Sequence, residues 1–205
     1  MNQSVFFTTE TIANFLLQYG KKSTSKDYEF IIAVMLKNYC EKQWGERCKI
    51  GFEFKPTLLA KLPRKDTFEL ELERVAELLR DGINEDTPID CIIVPENPDE
   101  KGYFRGCGFQ IKRFGIGQET VDTNSLIEFI NSLKHKYSKS DTCLVIIFDG
   151  KKGEVEFPRV KNEIDASNFP FRRLMFGWRQ DNKIYFGEIH PEYGIEEYNP
   201  RDIIA

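Results

Sequence analysis

The chain has 205 residues, a net charge of −4, and 40% hydrophobic, 30% charged and 13% aromatic residues. That balance excludes a disordered or fibrous chain, and the length suits one generous domain, with or without an elaboration. No apolar run approaches the ~20 residues a membrane helix needs, and the acidic balance argues against a simple electrostatic nucleic-acid binder.

Residues 1–9 show no basic region followed by an apolar one, so a cytoplasmic protein with no membrane association is expected. The five cysteines, Cys40, Cys48, Cys91, Cys107 and Cys143, form no CxxC pair, and His135 and His190 are the only histidines. A structural zinc site is therefore not expected, and the cysteines read as small core residues. Charge is unevenly distributed. Residues 66–100 carry twelve acids against Arg74 and Arg80, whereas residues 134–152 are rich in lysine.

In chain order, the spacing of Ile12, Phe15, Leu16 and Tyr19 predicts a short helix over 10–19, closed by Gly20. A longer helix over 27–43 is apolar around most of its circumference, as in a helix buried mid-domain. Ile50, Phe52 and Phe54 alternate, which predicts a strand over 49–55. Asp66 and Glu69 resemble a capping box, and helical spacing runs from there to Arg80. Residues 89–94 and 108–114 read as strands, joined by a loop or long hairpin tip. Gly106-Cys107-Gly108 and Gly115-Ile116-Gly117 read as turns or bulges. A helix over 125–137 and a buried strand over 142–148 follow. From Glu154 onward the chain looks β-rich, with a hairpin formed by 174–178 and 183–189.

The residues that carry chemistry lie on the two middle strands. Asp90 follows Pro88-Ile89 at the head of one, and Gln110-Ile111-Lys112 lies on the next. Period-two alternation puts Gln110 and Lys112 on one face. If the strands pair, Asp90 approaches both. A carboxylate, a second oxygen ligand and a lysine on one sheet face suit a hard divalent cation and a water.

This pattern resembles the PD-(D/E)xK nuclease superfamily, in a Q-x-K variant. The likeness covers residues 27–148. It implies an α/β restriction-endonuclease-like core, a mixed central sheet flanked by helices, with the β-rich tail as a C-terminal extension. The corresponding division is 1–26 as helix and connector, 27–150 as core and 151–205 as extension. It further implies a Mg²⁺- or Mn²⁺-dependent endonuclease acting on DNA, with Asp90, Gln110 and Lys112 as catalytic residues. Asp90 and Gln110, with the main-chain oxygen of Ile111, would bind metal, and Lys112 would position the attacking water. Glu29 on the first long helix is the first choice for a third metal ligand, with Glu73 and Glu77 as alternatives. Arg113, Lys134 and Lys136 would meet phosphates. Gln110 stands where the family usually has an acid, which lowers the expected metal affinity.

A homodimer or a partner subunit is the expected assembly. The rival expectation is a non-catalytic module of the same fold, serving interaction or nucleic-acid binding in a larger defence or repair complex. His135 reads as solvated, or as a phosphate contact. The tail aromatics Trp178, Tyr185, Phe186 and Tyr193 alternate with Arg172, Arg173, Arg179 and Lys183, as in a hairpin core with basic edges or a clamp on nucleic acid.

Overall fold

In the computed structural model, the described residues are 4–8, 25–54, 89–98, 100, 106–134, 140–149, 152–180 and 183–198. The helices expected over 10–19 and 66–80 lie outside them, as do Glu73, Glu77, His135 and Lys136.

The elements run β1 (Ser4–Thr8), α1 (Ser25–Trp44), β2 (Cys48–Phe54), β3 (Ile89–Pro95), β4 (Cys107–Phe114) and β5 (Val121–Asp122). Then come α2 (Thr123–Lys134), β6 (Ser140–Phe148), β7 (Lys152–Glu156), α3 (Phe157–Asp165), β8 (Phe171–Gln180), β9 (Lys183–His190) and β10 (Gly194–Tyr198). The protein is mixed α/β, with most of its core on a seven-stranded sheet in the order β10-β9-β8-β6-β4-β3-β2. The β2, β3 and β4 strands form an antiparallel meander, β6 pairs parallel to β4, and β8 pairs parallel to β6. A small three-stranded sheet, in the order β1-β7-β5, accompanies it.

The sheet is apolar on both faces because alternate residues of each inner strand enter different cores. On β6, Cys143, Val145 and Ile147 face α1, where Ile32, Met35 and Leu36 meet them. Leu144, Ile146 and Phe148 join the other core with Leu126 and Ile130 of α2 and Phe157, Val160 and Ile164 of α3. Each fully buried side chain of this size contributes ~1.5–3 kcal/mol. A strand covered on both faces reads as a continuous apolar run, which is why 142–148 stands out in the sequence.

Local chemistry sets the element ends. Gly45, at φ +70°, follows α1, and its N–H bonds to Glu41 O at 2.8 Å. Glu41 Oε1 also accepts from Cys48 N at 2.8 Å, which ties the helix to β2. Ahead of α2, Asp122 Oδ1 accepts from Ser125 N while Ser125 Oγ accepts from Asp122 N. This reciprocal box starts the helix two residues before the expected Ser125. After β4, Gly115 and Gly117 take positive φ in a turn closed by Gln118 N to Gly115 O at 2.9 Å, so this GxG pair is a turn.

The tail departs from its expected form in two ways. A helix, α3, interrupts what reads as β-rich sequence. Pro158 in its first turn suits a helix opening, and Phe157, Val160 and Ile164 supply one buried stripe. The hairpin of β8 and β9 is present, but β8 pairs directly with β6, so residues 171–198 continue the main sheet. Without β8, the buried β6 would lack hydrogen-bond partners along one edge. No described helix is long and apolar enough to cross a membrane.

Candidate functional site

The meander brings Asp90, Gln110 and Lys112 together. The β3–β4 ladder pairs Cys91 with Phe109, so the same register carried one residue further sets Asp90 opposite Gln110. Cys91 and Phe109 belong to the core under α1. Alternation therefore places Asp90, Gln110 and Lys112 together on the other face.

Asp90 Oδ2 accepts from the main-chain N–H of Ile111 at 2.6 Å. The same oxygen lies 3.6 Å from Lys112 Nζ, and that ammonium donates to Gln110 Oε1 at 3.2 Å. Gln110 is fully buried, while Asp90 and Lys112 keep 19% and 29% of their side-chain surface exposed. Burial raises the Asp90 carboxyl above its ordinary range, and the Lys112 charge and the Ile111 N–H only partly oppose it. Desolvation thus outweighs the lysine.

The other expected site residues lie apart from this group or are not fully described. Arg113 forms an ion pair with Asp149, a buried carboxylate at the end of β6. Lys134 Nζ donates to Ser167 Oγ at 2.7 Å, and burial lowers its pKa. Glu29 lies on α1, whose described side chains pack on the face opposite Asp90, but the side chain of Glu29 itself is outside the described set. Trp178 is buried and stacks on Tyr185 with ring centroids 5.4 Å apart, which makes it hairpin core.

Two features escape the sequence reading. The β2–β3 register pairs Phe52 with Cys91 and Phe54 with Ile89, which sets Glu53 at the position across from Asp90. Its alternation with Phe52 and Phe54 is visible in sequence, but its neighbour is not. The second is a buried polar group on the α1 face. There Glu188 Oε2 accepts from Arg173 Nη1 at 3.2 Å and from the Tyr39 hydroxyl at 3.4 Å.

As a donor set, Asp90 and Gln110 offer one carboxylate and one amide oxygen on a single sheet face. Mg²⁺ is usually held by one or two carboxylates and keeps several waters, so Asp90 is a ligand of the type that ion takes, while Gln110 adds only an uncharged oxygen. Among the described residues, no group of three or more His, Cys, Asp or Glu is placed to hold a metal. The chain matches no family model, no curated protein and no solved structure.

Proposed function

We propose that the protein is a divalent-metal-dependent phosphodiesterase acting on nucleic acid, with DNA as its substrate, on a restriction-endonuclease-like core. The observation that carries this reading is the contact of one ammonium, Lys112 Nζ, with both Asp90 Oδ2 and Gln110 Oε1 on a single sheet face. The order α1, antiparallel β2-β3-β4, α2, parallel β6 supports it, because the nuclease core has that sequence of elements.

Asp90 and Gln110 would hold Mg²⁺ or Mn²⁺, with a further oxygen from Glu53, whose register position lies across from Asp90. Glu29, on a helix that packs on the opposite face, is not retained as a ligand. The ion would supply positive charge at the phosphate and acidify a water. Lys112, anchored by both oxygens, would orient the attacking water and meet the growing negative charge on the phosphate. The partial burial of Asp90 would strengthen these interactions by keeping bulk water away.

A second reading rests on the 2.6 Å bond from Ile111 N–H to Asp90. That bond holds β3 to β4 with or without a metal, as a non-catalytic module of the same fold would require. Wild type and Lys112→Ala, incubated with single- and double-stranded DNA and RNA in Mg²⁺, Mn²⁺ or EDTA, separate the two. Cleavage that disappears in the variant and in EDTA supports the enzyme. A folded wild type that cuts no substrate supports the module.

A further inference from the structure

Under α1, on the face opposite Asp90, a line of ionisable groups crosses the sheet. Cys107 Sγ and Cys143 Sγ lie 3.1 Å apart, joining the start of β4 to β6. The β6–β8 register sets Arg173 directly beside Cys143. Arg173 in turn is held by Glu188, whose Oε2 also accepts from Tyr39. Glu188 Oε1 is buried with no hydrogen-bond partner among the described residues. A carboxylate and a guanidinium beside two touching thiols are more than apolar packing requires, because buried charge is costly unless paired.

We propose that Cys107 and Cys143 are a redox-active dithiol that a hydroperoxide converts to an intramolecular disulfide, with Arg173 stabilising the attacking thiolate. Bonded sulfurs stand ~2.05 Å apart. The β4–β6 register, which pairs Phe109 with Cys143, sets Cys107 two residues off Cys143 along the ladder, so closing the bond draws the start of β4 toward β6 as the sulfurs meet. None of the five cysteines is in a disulfide in this structure. Cys107 is the first to react. It keeps 9% of its surface exposed, at the start of its strand, whereas Cys143 is fully buried. The contact between the two sulfurs and the nearby Arg173 charge favour a single thiolate shared by the pair, with Cys107 the sulfur that carries it. Burial pushes Cys40 upward and Cys48 to about 11, which leaves both as poor nucleophiles.

In the first step the Cys107 thiolate attacks the hydroperoxide, and the O–O bond breaks. Cys107 becomes a sulfenic acid, and an alcohol, or water from hydrogen peroxide, leaves after taking up a proton. The Cys143 sulfur then attacks the Cys107 sulfur and gives up its own proton. The S–O bond breaks, and hydroxide leaves with that proton as water. Two thiols thus lose two electrons and two protons, and the hydroperoxide accepts them.

The test uses the reduced full-length chain and hydrogen peroxide. Thiols are counted after denaturation, and disulfide-linked peptides are mapped by mass spectrometry. The expected result is a fall from five thiols to three, with the link between Cys107 and Cys143, while Cys107→Ser keeps all its thiols at the same dose. Five persisting thiols, a link between any other pair, or over-oxidation of Cys107 without a link would each overturn the proposal.

Discussion

The Asp90 carboxylate reaches the main-chain N–H of Ile111 at 2.6 Å, just beyond the Cys91–Phe109 pair that ends the β3–β4 ladder. A side chain takes over where a strand partner would stand, and Lys112 lies within 3.6 Å of the same oxygen. The carboxylate is thus fixed by the strands and also faces the chemistry proposed above.

That placement has a pH signature. The folded-state pKa of Asp90 is raised by burial. Between the unfolded and folded values the native state therefore binds more protons, and stability falls as pH rises through that window. Asp90→Asn keeps the oxygen that accepts from Ile111 but does not ionise. In the absence of metal, the stability difference between variant and wild type should move in favour of the variant as pH rises from about 4 upward, then level off above the folded pKa. Urea unfolding across this range measures it. A difference that does not change with pH would show that burial does not disfavour the Asp90 charge.

Gln110 tests the donor set. Gln110→Glu adds a negative charge on a fully buried position beside Asp90. Two facing carboxylates repel, so the metal-free variant should melt lower than wild type. A divalent cation relieves that repulsion, so Mn²⁺ should bind roughly tenfold tighter and raise the melting temperature more than in wild type. Isothermal titration and melting with Mn²⁺ and with EDTA supply both readings. Unchanged Mn²⁺ affinity in a folded variant would remove Gln110 from the ligand set.

Part of this geometry is legible in the sequence, because a strand's period is two. Gln110 and Lys112 share a face wherever the strand lies, and Ile50, Phe52 and Phe54 announce β2. Register is different, because it depends on how separate strands slide against one another. Nothing local says that Asp90 meets Ile111 N–H or that Glu53 stands across from it. The helix α3 is hidden for another reason. Its buried stripe is only Phe157, Val160 and Ile164, set among charged residues, and Pro158 reads as a breaker unless it is placed in the first turn. Arg173 reads as a basic edge of a hairpin and Glu188 carries no signal of its own, yet the β8–β9 pairing, with its register shift, brings them together beneath α1.

The Arg173–Glu188 pair predicts an asymmetry. Glu188 is buried, so Arg173→Met leaves a carboxylate without its cation, at a cost of about 3 kcal/mol. For a chain of this size that corresponds to a fall of roughly 6–12 °C in melting temperature. Adding Glu188→Leu removes the stranded charge, so the double variant should regain most of the loss. Thermal melts of the two singles and the double close the cycle. Additive losses would show that the two residues are not coupled.

The edge of the sheet offers a test of packing alone. Gly187 of β9 faces Ile195 of β10 in the antiparallel pairing. A methyl group at Gly187 would stand 2.6 Å from Gly194 O and 2.9 Å from Ile195 Cα. Both are backbone atoms, so relief requires β10 to move away from β9 rather than a side chain to rotate. Gly187→Ala should therefore cost about 1–3 kcal/mol, the usual range for overpacking. A methyl group at Gly194, at the start of β10, would meet nothing within 4 Å. Gly194→Ala should change stability by no more than about 0.5 kcal/mol. Chemical denaturation of both variants beside wild type gives the comparison, and hydrogen exchange on β10 amides shows where any loss arises. Equal, small effects at both positions would mean that β10 does not lie against Gly187 as closely as the pairing requires.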